Sequence, residues 1–233
     1  MNNVAVISLG GSIIAPDKVD SAFLKQLNQE LRTYLKEDKS RKIILVCGGG
    51  APARVYQDAM RAIKEDIDSE ELDWLGIRAT HLNGQLVKAM LADLCTDNLV
   101  TDPTGHINFR GQVLVAAGWK PGFSTDNDAV ILAERFEGKL IINLSNIAKV
   151  YTDDPKKNPD AKPLDAVTWT EYRAMVGDSW TPGKSTPFDP IASARAEKMK
   201  MRVVCADGRN IPNTMDILYG RTFFGTLIGS ENA

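Results

Sequence analysis

The sequence predicts an α/β fold built on a mainly parallel sheet. Three observations carry this reading. Short β-branched runs alternate with longer segments of helical period, glycine clusters stand directly after the first two runs, and the rhythm persists to the end of the chain. The 233 residues amount to one large domain or two lobes sharing a core. With 43% hydrophobic and 25% charged residues the composition is that of a globular chain with a sizeable core, not a disordered or membrane-spanning one.

The first strand is read at residues 4–9. A helix follows over 20–36, where Phe23, Leu24, Leu27, Leu31, Tyr34 and Leu35 keep to one face against Lys, Gln and Glu on the other. A second strand at 42–46 leads into helices that run through Cys95, the last of them long, over 71–94. Further strands are read at 113–116, 140–144, 202–206 and 226–228, and further helices at 126–135, 189–199 and 214–219. The stretch 152–165, with three prolines and many charges, reads as an exposed loop.

Charge and cysteine usage exclude several functions. Lys and Arg number 28 against 30 Asp and Glu, a net charge of −2, so no basic field draws nucleic acid to the surface and an anionic ligand has to be caught locally. The three cysteines, Cys47, Cys95 and Cys205, are too few and scattered for a disulfide framework, and no Cys/His pair has zinc spacing, so no protein metal site is expected. The opening residues lack the basic and apolar regions of a secretory signal, and no apolar run reaches 18 residues. A cytoplasmic protein without membrane contact is expected.

The chemistry concentrates around glycine. Gly10-Gly11-Ser12 follows the first strand and Gly48-Gly49-Gly50 the second, each a few residues ahead of a helix. Such turns let backbone N–H groups approach an anion, and the helix N-terminus behind adds a favourable dipole. One turn of this kind is ordinary chain reversal; two on neighbouring strands favour a phosphate ligand. Neither spells G-x-G-x-x-G, and Gly183-Lys184-Ser185-Thr186 fails as a P-loop because Gly177 lies one residue too far upstream and no strand precedes it. Arg54, four residues after Gly50, is placed to fork onto a phosphate, with an exposed surface arginine as the equal alternative. On the long helix Asp73, Gly76, Thr80 and Asn83 form a small, polar stripe poor in Lys and Glu, which suits a pocket wall better than a solvated face. Residues 122–128 (GFSTDND) combine a glycine turn, capping residues and two acids ahead of an apolar helix; capping is one use, a polar ligand or Mg²⁺ a second. His81 and His106 read as packed or turn residues, and Trp74, Trp119, Trp169 and Trp180 as core or subunit-contact residues, with Trp119 the best exception.

Taken in order, these motifs, with Ser124-Thr125-Asp126, Leu144-Ser145-Asn146-Ile147, Val150-Tyr151-Thr152-Asp153-Asp154-Pro155 and the closing Gly225-Thr226-x-Ile228, resemble the amino acid kinase superfamily, and within it the uridylate (UMP) kinases of bacterial and archaeal type. The resemblance covers nearly the whole chain. It implies a three-layer αβα sandwich of the carbamate kinase-like kind, one domain with an acceptor-binding lobe over about 1–138 and an ATP-binding lobe over about 139–233. It implies in-line transfer of a phosphoryl group from ATP, with Mg²⁺ carried by the ATP, to UMP. Gly10 and Gly11 would hold ATP phosphates at the reacting side, together with Ser8, and Asp189 would stand near the transferring group. Ser145, Asn146, Tyr151, Asp154 and Pro155 would enclose adenine and its ribose. Gly49, Gly50 and Arg54 would hold the acceptor phosphate, Asp73 the ribose, and Thr80, Asn83, Thr125 and Asp126 the rest of the acceptor. A homo-oligomer, a hexamer in many relatives, is implied, and no nucleic acid.

The chain departs from the family pattern at two places. Ser8 stands where many relatives have lysine, and Lys184, five residues before Asp189, is the candidate to supply the missing catalytic charge. Ala148-Lys149 replaces the usual Asp-Gly, leaving Lys149 either a phosphate contact or a solvated residue. Two other functions remain in view: the same fold acting on another small phosphate or carboxylate, and a nucleotide- or oxyanion-binding protein with little catalysis.

Overall fold

The structure is a computed structural model that describes residues 3–155, 157–179 and 186–229. Seven strands form one sheet: β1 (Val4–Leu9), β2 (Lys42–Cys47), β3 (Val113–Ala117), β4 (Leu140–Ser145), β5 (Ala166–Val167), β6 (Arg202–Asp207) and β7 (Thr226–Ile228). Their spatial order is β3-β2-β1-β4-β6-β7-β5, all parallel except where β7 meets β6. The helices are α1 (Gly11–Ile14), α2 (Ser21–Glu37), α3 (Gly50–Ile63), α4 (Ser69–Met90), α5 (Thr125–Arg135), α6 (Trp169–Val176), α7 (Pro190–Lys198) and α8 (Ile211–Leu218).

Strand periodicity divides the core into two layers. Ile7 and Leu9 of β1 and Ile43 and Leu45 of β2 join the apolar stripe of α2 and residues of α8 on one face. Val6, Ile44 and Val46 point the other way, onto α5, α6 and α7. These are the three layers expected, and β strands buried on both faces explain why the runs read as continuously apolar rather than alternating. Ser8, two residues from Val6, shares the side that α5 covers, and it is buried.

β1 pairs with β2 on one side and β4 on the other, so chain order reverses between β1 and β4. In open parallel sheets the crevice outside the carboxyl ends at such a switch point is where ligands bind. Gly10, Gly48 and the end of β4 at Ser145 all lie there.

Several boundaries differ from those read in the sequence. The long helix runs Ser69–Met90, started two residues earlier by the Asp68 carboxylate, which accepts from the Glu70 N–H, and residues 91–94 are turns. α8 begins at Ile211 with Pro212 in its first turn rather than at 214. The 152–165 stretch is a loop, but it is tied together by the Thr152 N–H to Lys162 carbonyl bond and a bridge between Tyr151 and Pro163. α1, α6 and β5 were not anticipated.

Candidate active site

The two glycine turns are built against each other. A Cβ on Gly11 would lie 2.0 Å from the Gly50 nitrogen and 2.7 Å from the Gly48 carbonyl carbon, and Gly50 itself has φ +66°. The glycines are therefore needed first so that two backbones touch, a reason the sequence does not distinguish from the approach of an anion. The Gly10 N–H donates to the Leu144 carbonyl (2.8 Å) and the Gly48 N–H to the Leu9 carbonyl (3.0 Å), which knits the ends of β1, β2 and β4 into one platform. Asn83, 2% exposed, donates from Nδ2 to the carbonyls of Gly48 (2.8 Å) and Gly49 (3.0 Å). It holds the turn from behind. α3 starts at Gly50 with no side chain capping it; the Ala51 N–H donates to the Ala15 carbonyl (2.9 Å) and Pro52 has none, so it is chiefly the helix dipole that faces the cleft beside it.

That cleft, about 360 Å³, is lined by Gly49, Gly50, Arg54, Asp73, Thr80 and Thr125, with Gln57, Gly76, Gly118, Lys120 and Phe123 among the others. Six of the eight residues grouped for the acceptor thus line one cavity. Thr80 Oγ1 donates to the Ile77 carbonyl (2.6 Å) and accepts from the Gly118 N–H (2.8 Å), joining α4 to the end of β3. Asp73 Oδ2 accepts from the Gly122 N–H (3.0 Å), joining α4 to the loop between β3 and α5. Arg54 donates from Nη2 to the Pro16 carbonyl (3.0 Å) and is exposed, on the cleft rim. His81 bridges as a structural residue: Nε2–H donates to the Gly118 carbonyl (2.8 Å) and Nδ1 accepts from Arg78 (3.3 Å).

Asp126 stands at the junction between that cleft and the end of β1. Its Oδ1 accepts from the Ser8 hydroxyl (2.9 Å) and its Oδ2 from the Asp189 N–H (3.2 Å). Solvent reaches part of the residue, yet the carboxylate is packed around by protein, and this desolvation, with the charge of Asp189 nearby, pushes its pKa up to about 6 against the opposing hydrogen bonds. The Ser8 hydroxyl proton is spent on Asp126 rather than turned to a ligand. Asp189 caps α7, its Oδ1 accepting from the Ala192 N–H (2.7 Å). The approach to it is anchored by two residues that sequence reading missed. Asn143 of β4 donates to the Pro187 carbonyl (2.7 Å), and the Tyr172 hydroxyl donates to the Phe188 carbonyl (2.9 Å) and accepts from the Phe188 N–H (2.7 Å). A polar Asn in an otherwise apolar strand (LIINLS) was the available signal.

Ser145 and Asn146 sit at the carboxyl end of β4, and Tyr151, Asp154 and Pro155 on the loop that follows. Lys149 is neither solvated nor aimed at a phosphate: its ammonium pairs with Asp165 and lies 4.5 Å from the centroid of the Phe224 ring, so it braces the loop against the start of β7. Lys184 and Trp180 lie outside the described residues. Among the described residues no cluster of three or more His, Cys, Asp or Glu side chains is disposed to cage a metal ion. No described helix is long and apolar enough to cross a membrane.

A mainly parallel sheet with a cleft at the carboxyl ends of β2 and β3, next to its switch point, defines an α/β protein of the ligand-seating type. The model of the Amino acid kinase family matches residues 3–207, and the chain belongs to that family. Among its relatives, the uridylate kinase of Pyrococcus abyssi is 33% identical over 220 residues, which are 93% of this chain and 95% of that one. The uridylate kinase of Thermoplasma volcanium is 32% identical over 231 residues, 98% of each. The crystal structure of uridylate kinase from Archaeoglobus fulgidus superposes with a TM-score of 0.80 at 26% identity, covering 96% of this chain and 99% of that one. The UMP kinase from Ureaplasma parvum, at 20% identity and a TM-score of 0.76, shares the fold.

Proposed function

We propose that this protein transfers the terminal phosphoryl group of ATP to UMP, giving UDP and ADP, in the cytoplasm. The observation that carries the reading is that Gly49, Gly50, Arg54, Asp73, Thr80 and Thr125, from three separate segments, line one cleft, with Asp126 following Thr125 and bonded to Ser8 of β1. The acceptor lobe is residues 1–138 and the ATP lobe 139–233, with one sheet running through both. The uridylate kinase relatives at about one-third identity over nearly full length support UMP as the acceptor and ATP as the donor. Three buried free cysteines suit a reducing compartment.

In this reading the acceptor phosphate rests on the Gly49–Gly50 turn and the uncapped start of α3, with Arg54 swinging onto it from the rim. Asp73 fixes the ribose through the oxygen not given to Gly122. Gly10 and Gly11 present backbone to the phosphates of ATP, and Ser145, Asn146, Tyr151, Asp154 and Pro155 surround its nucleoside. The acceptor is already an ionised phosphate, so the protein has to align two anions and neutralise charge rather than abstract a proton. Mg²⁺ carried in on ATP would supply part of that neutralisation. The donor set fits an ion that arrives on the nucleotide, because Mg²⁺ keeps several waters and takes only one or two carboxylates, here Asp126 and Asp189, beside substrate phosphates. Ser8 brings no charge to this point; Lys184 is assigned to bring it, and a Lys184→Ala protein with unchanged turnover would remove that assignment.

The deciding experiment is coupled ADP release from Mg-ATP with UMP, CMP, AMP, GMP and dUMP beside a control without acceptor. UMP-driven turnover is expected. ATP binding without turnover on any nucleotide would favour the second reading, a nucleotide-binding protein. Ser8 hydrogen-bonded to Asp126 in place of a cation is the observation behind it.

A further inference from the structure

The cleft has two chemically different ends. Thr80 stands against the glycine turn, its methyl carbon 3.6 Å from where a Gly49 Cβ would be, and its hydroxyl holds Gly118. Asp73 is seven residues earlier on α4, about 10 Å along the axis at 1.5 Å per residue, and holds Gly122. The loop from Gly118 to Gly122 therefore runs beside α4 away from the phosphate end, as far as the level of Asp73, the residue assigned to the ribose. Lys120 and Phe123 line the cleft along that stretch.

Lys120 does not sweep solvent freely. Its ammonium lies 4.0 Å from the centroid of the Trp119 ring and 4.8 Å from that of Phe123, and the two rings pack edge to face at 4.9 Å. Such contacts hold a cation in place over the ring faces. The backbone beneath is pinned as well, since the Trp119 N–H donates to the buried Asp128 carboxylate (3.2 Å). Arg54 and Lys120 are the two basic residues of the lining, Arg54 just after the glycine turn and Lys120 on the loop between Gly118 and Gly122. An ammonium offers three donors and no acceptor. A uracil ring offers carbonyl oxygens at C2 and C4, whereas cytosine puts an amino donor at C4, which an ammonium opposes.

Given UMP as acceptor, we infer that Lys120, held over Trp119 and Phe123, donates to the C4 carbonyl of the acceptor base and sets the preference for uracil over cytosine. The test is steady-state turnover of the full-length Lys120→Met protein, with UMP and CMP as separately varied acceptors at saturating Mg-ATP. Lys120 is exposed and outside every helix and strand, so the variant keeps the fold, which its melting temperature checks. The expected result is that kcat/KM for UMP falls about ten- to a hundredfold while that for CMP holds or rises, with KM for ATP unmoved. An equal fall for both acceptors would overturn the inference and move the lysine to the phosphate. No change for either would also overturn it, leaving the lysine to the loop, where its charge reaches Asp102. A wild-type protein that turns over neither nucleotide would sink the UMP reading itself, and this inference with it.

Discussion

Asp128 is a carboxyl group in an unfavourable place. It is 1% exposed, Oδ2 accepts from the Trp119 N–H, and Oδ1 has no partner among the described residues. Burial pushes its pKa up to about 7, and the charges of Asp126 and Asp102 add to the shift against the Trp119 bond. A carboxyl whose folded pKa is raised favours its protonated form in the folded state. Its contribution to stability is complete below the ordinary aspartate value near 4 and is lost as pH rises through about 7. Asp126, raised to about 6, acts in the same direction over a narrower window. Asp128→Asn is therefore expected to flatten the fall in urea-unfolding free energy between pH 4 and pH 8 by on the order of 2–4 kcal/mol, leaving the smaller slope that belongs to Asp126. The slope is the diagnostic, because the new amide carries its own unpartnered donor. Parallel pH profiles for the two proteins would show that folding does not raise the Asp128 pKa. The sequence offered Asp126 and Asp128 as capping residues or ligand acids; that one meets Ser8 and the other lies sealed beneath Trp119 depends on contacts between segments far apart in the chain.

At the scale of elements, the glycine turns separate two demands that look alike in sequence. Gly11 has no room: a Cβ there meets the backbone of Gly48, Gly49 and Gly50 at 2.0 to 2.7 Å, and backbone does not yield as a side-chain tip does. Gly122 has room on every side within 4 Å but sits at φ +76°. Gly11→Ala is expected to cost more than ~4 kcal/mol or to prevent folding, whereas Gly122→Ala is expected to cost only ~1–2 kcal/mol of left-handed strain. Thermal unfolding of both distinguishes the cases, and equal losses would refute the account. The principal strands and long helices were legible because their apolar periods are strong, and so was the Asp73-Gly76-Thr80 stripe, which does line the cleft. The missed elements are those whose reasons are short or distant. β5 is two residues supported by β7, and α1 is four residues begun by a glycine. α6 was readable, for Thr168 and Glu171 form a capping box, but eight residues after a proline-rich loop give little period to see. Asn83 belongs to the same stripe and has a second reason to be there: its Nδ2 holds the Gly48–Gly49 turn.

The whole molecule carries a surface that its own core does not explain. α3 and α4 pack against each other, and on α3 Tyr56 and Ile63 stand 65% and 79% exposed at a seven-residue spacing that puts them on one face. Val55 beside them and Leu82 on α4 are 62% and 67% exposed. Single exposed apolar residues are ordinary, but several on two adjoining helices are what an association surface needs, and isologous pairing would bury such a patch against its own copy. A net charge of −2 does little to oppose association. Self-association through these helices would bear on catalysis, because α3 begins at the glycine turn and α4 carries Asp73 and Thr80, so a partner braced against their outer faces would steady the proposed acceptor cleft from behind. Tyr56→Glu combined with Ile63→Glu is expected to lower the mass measured by size-exclusion chromatography with light scattering to that of a smaller assembly. The circular dichroism should stay unchanged, since neither side chain is in the core. KM for the acceptor should rise more than KM for ATP, since the residues proposed for the ATP nucleoside lie on β4 and its loop. An unaltered mass in the double variant would place the subunit contact, if any forms, on another face, and would leave the exposed residues of α3 without a role in assembly.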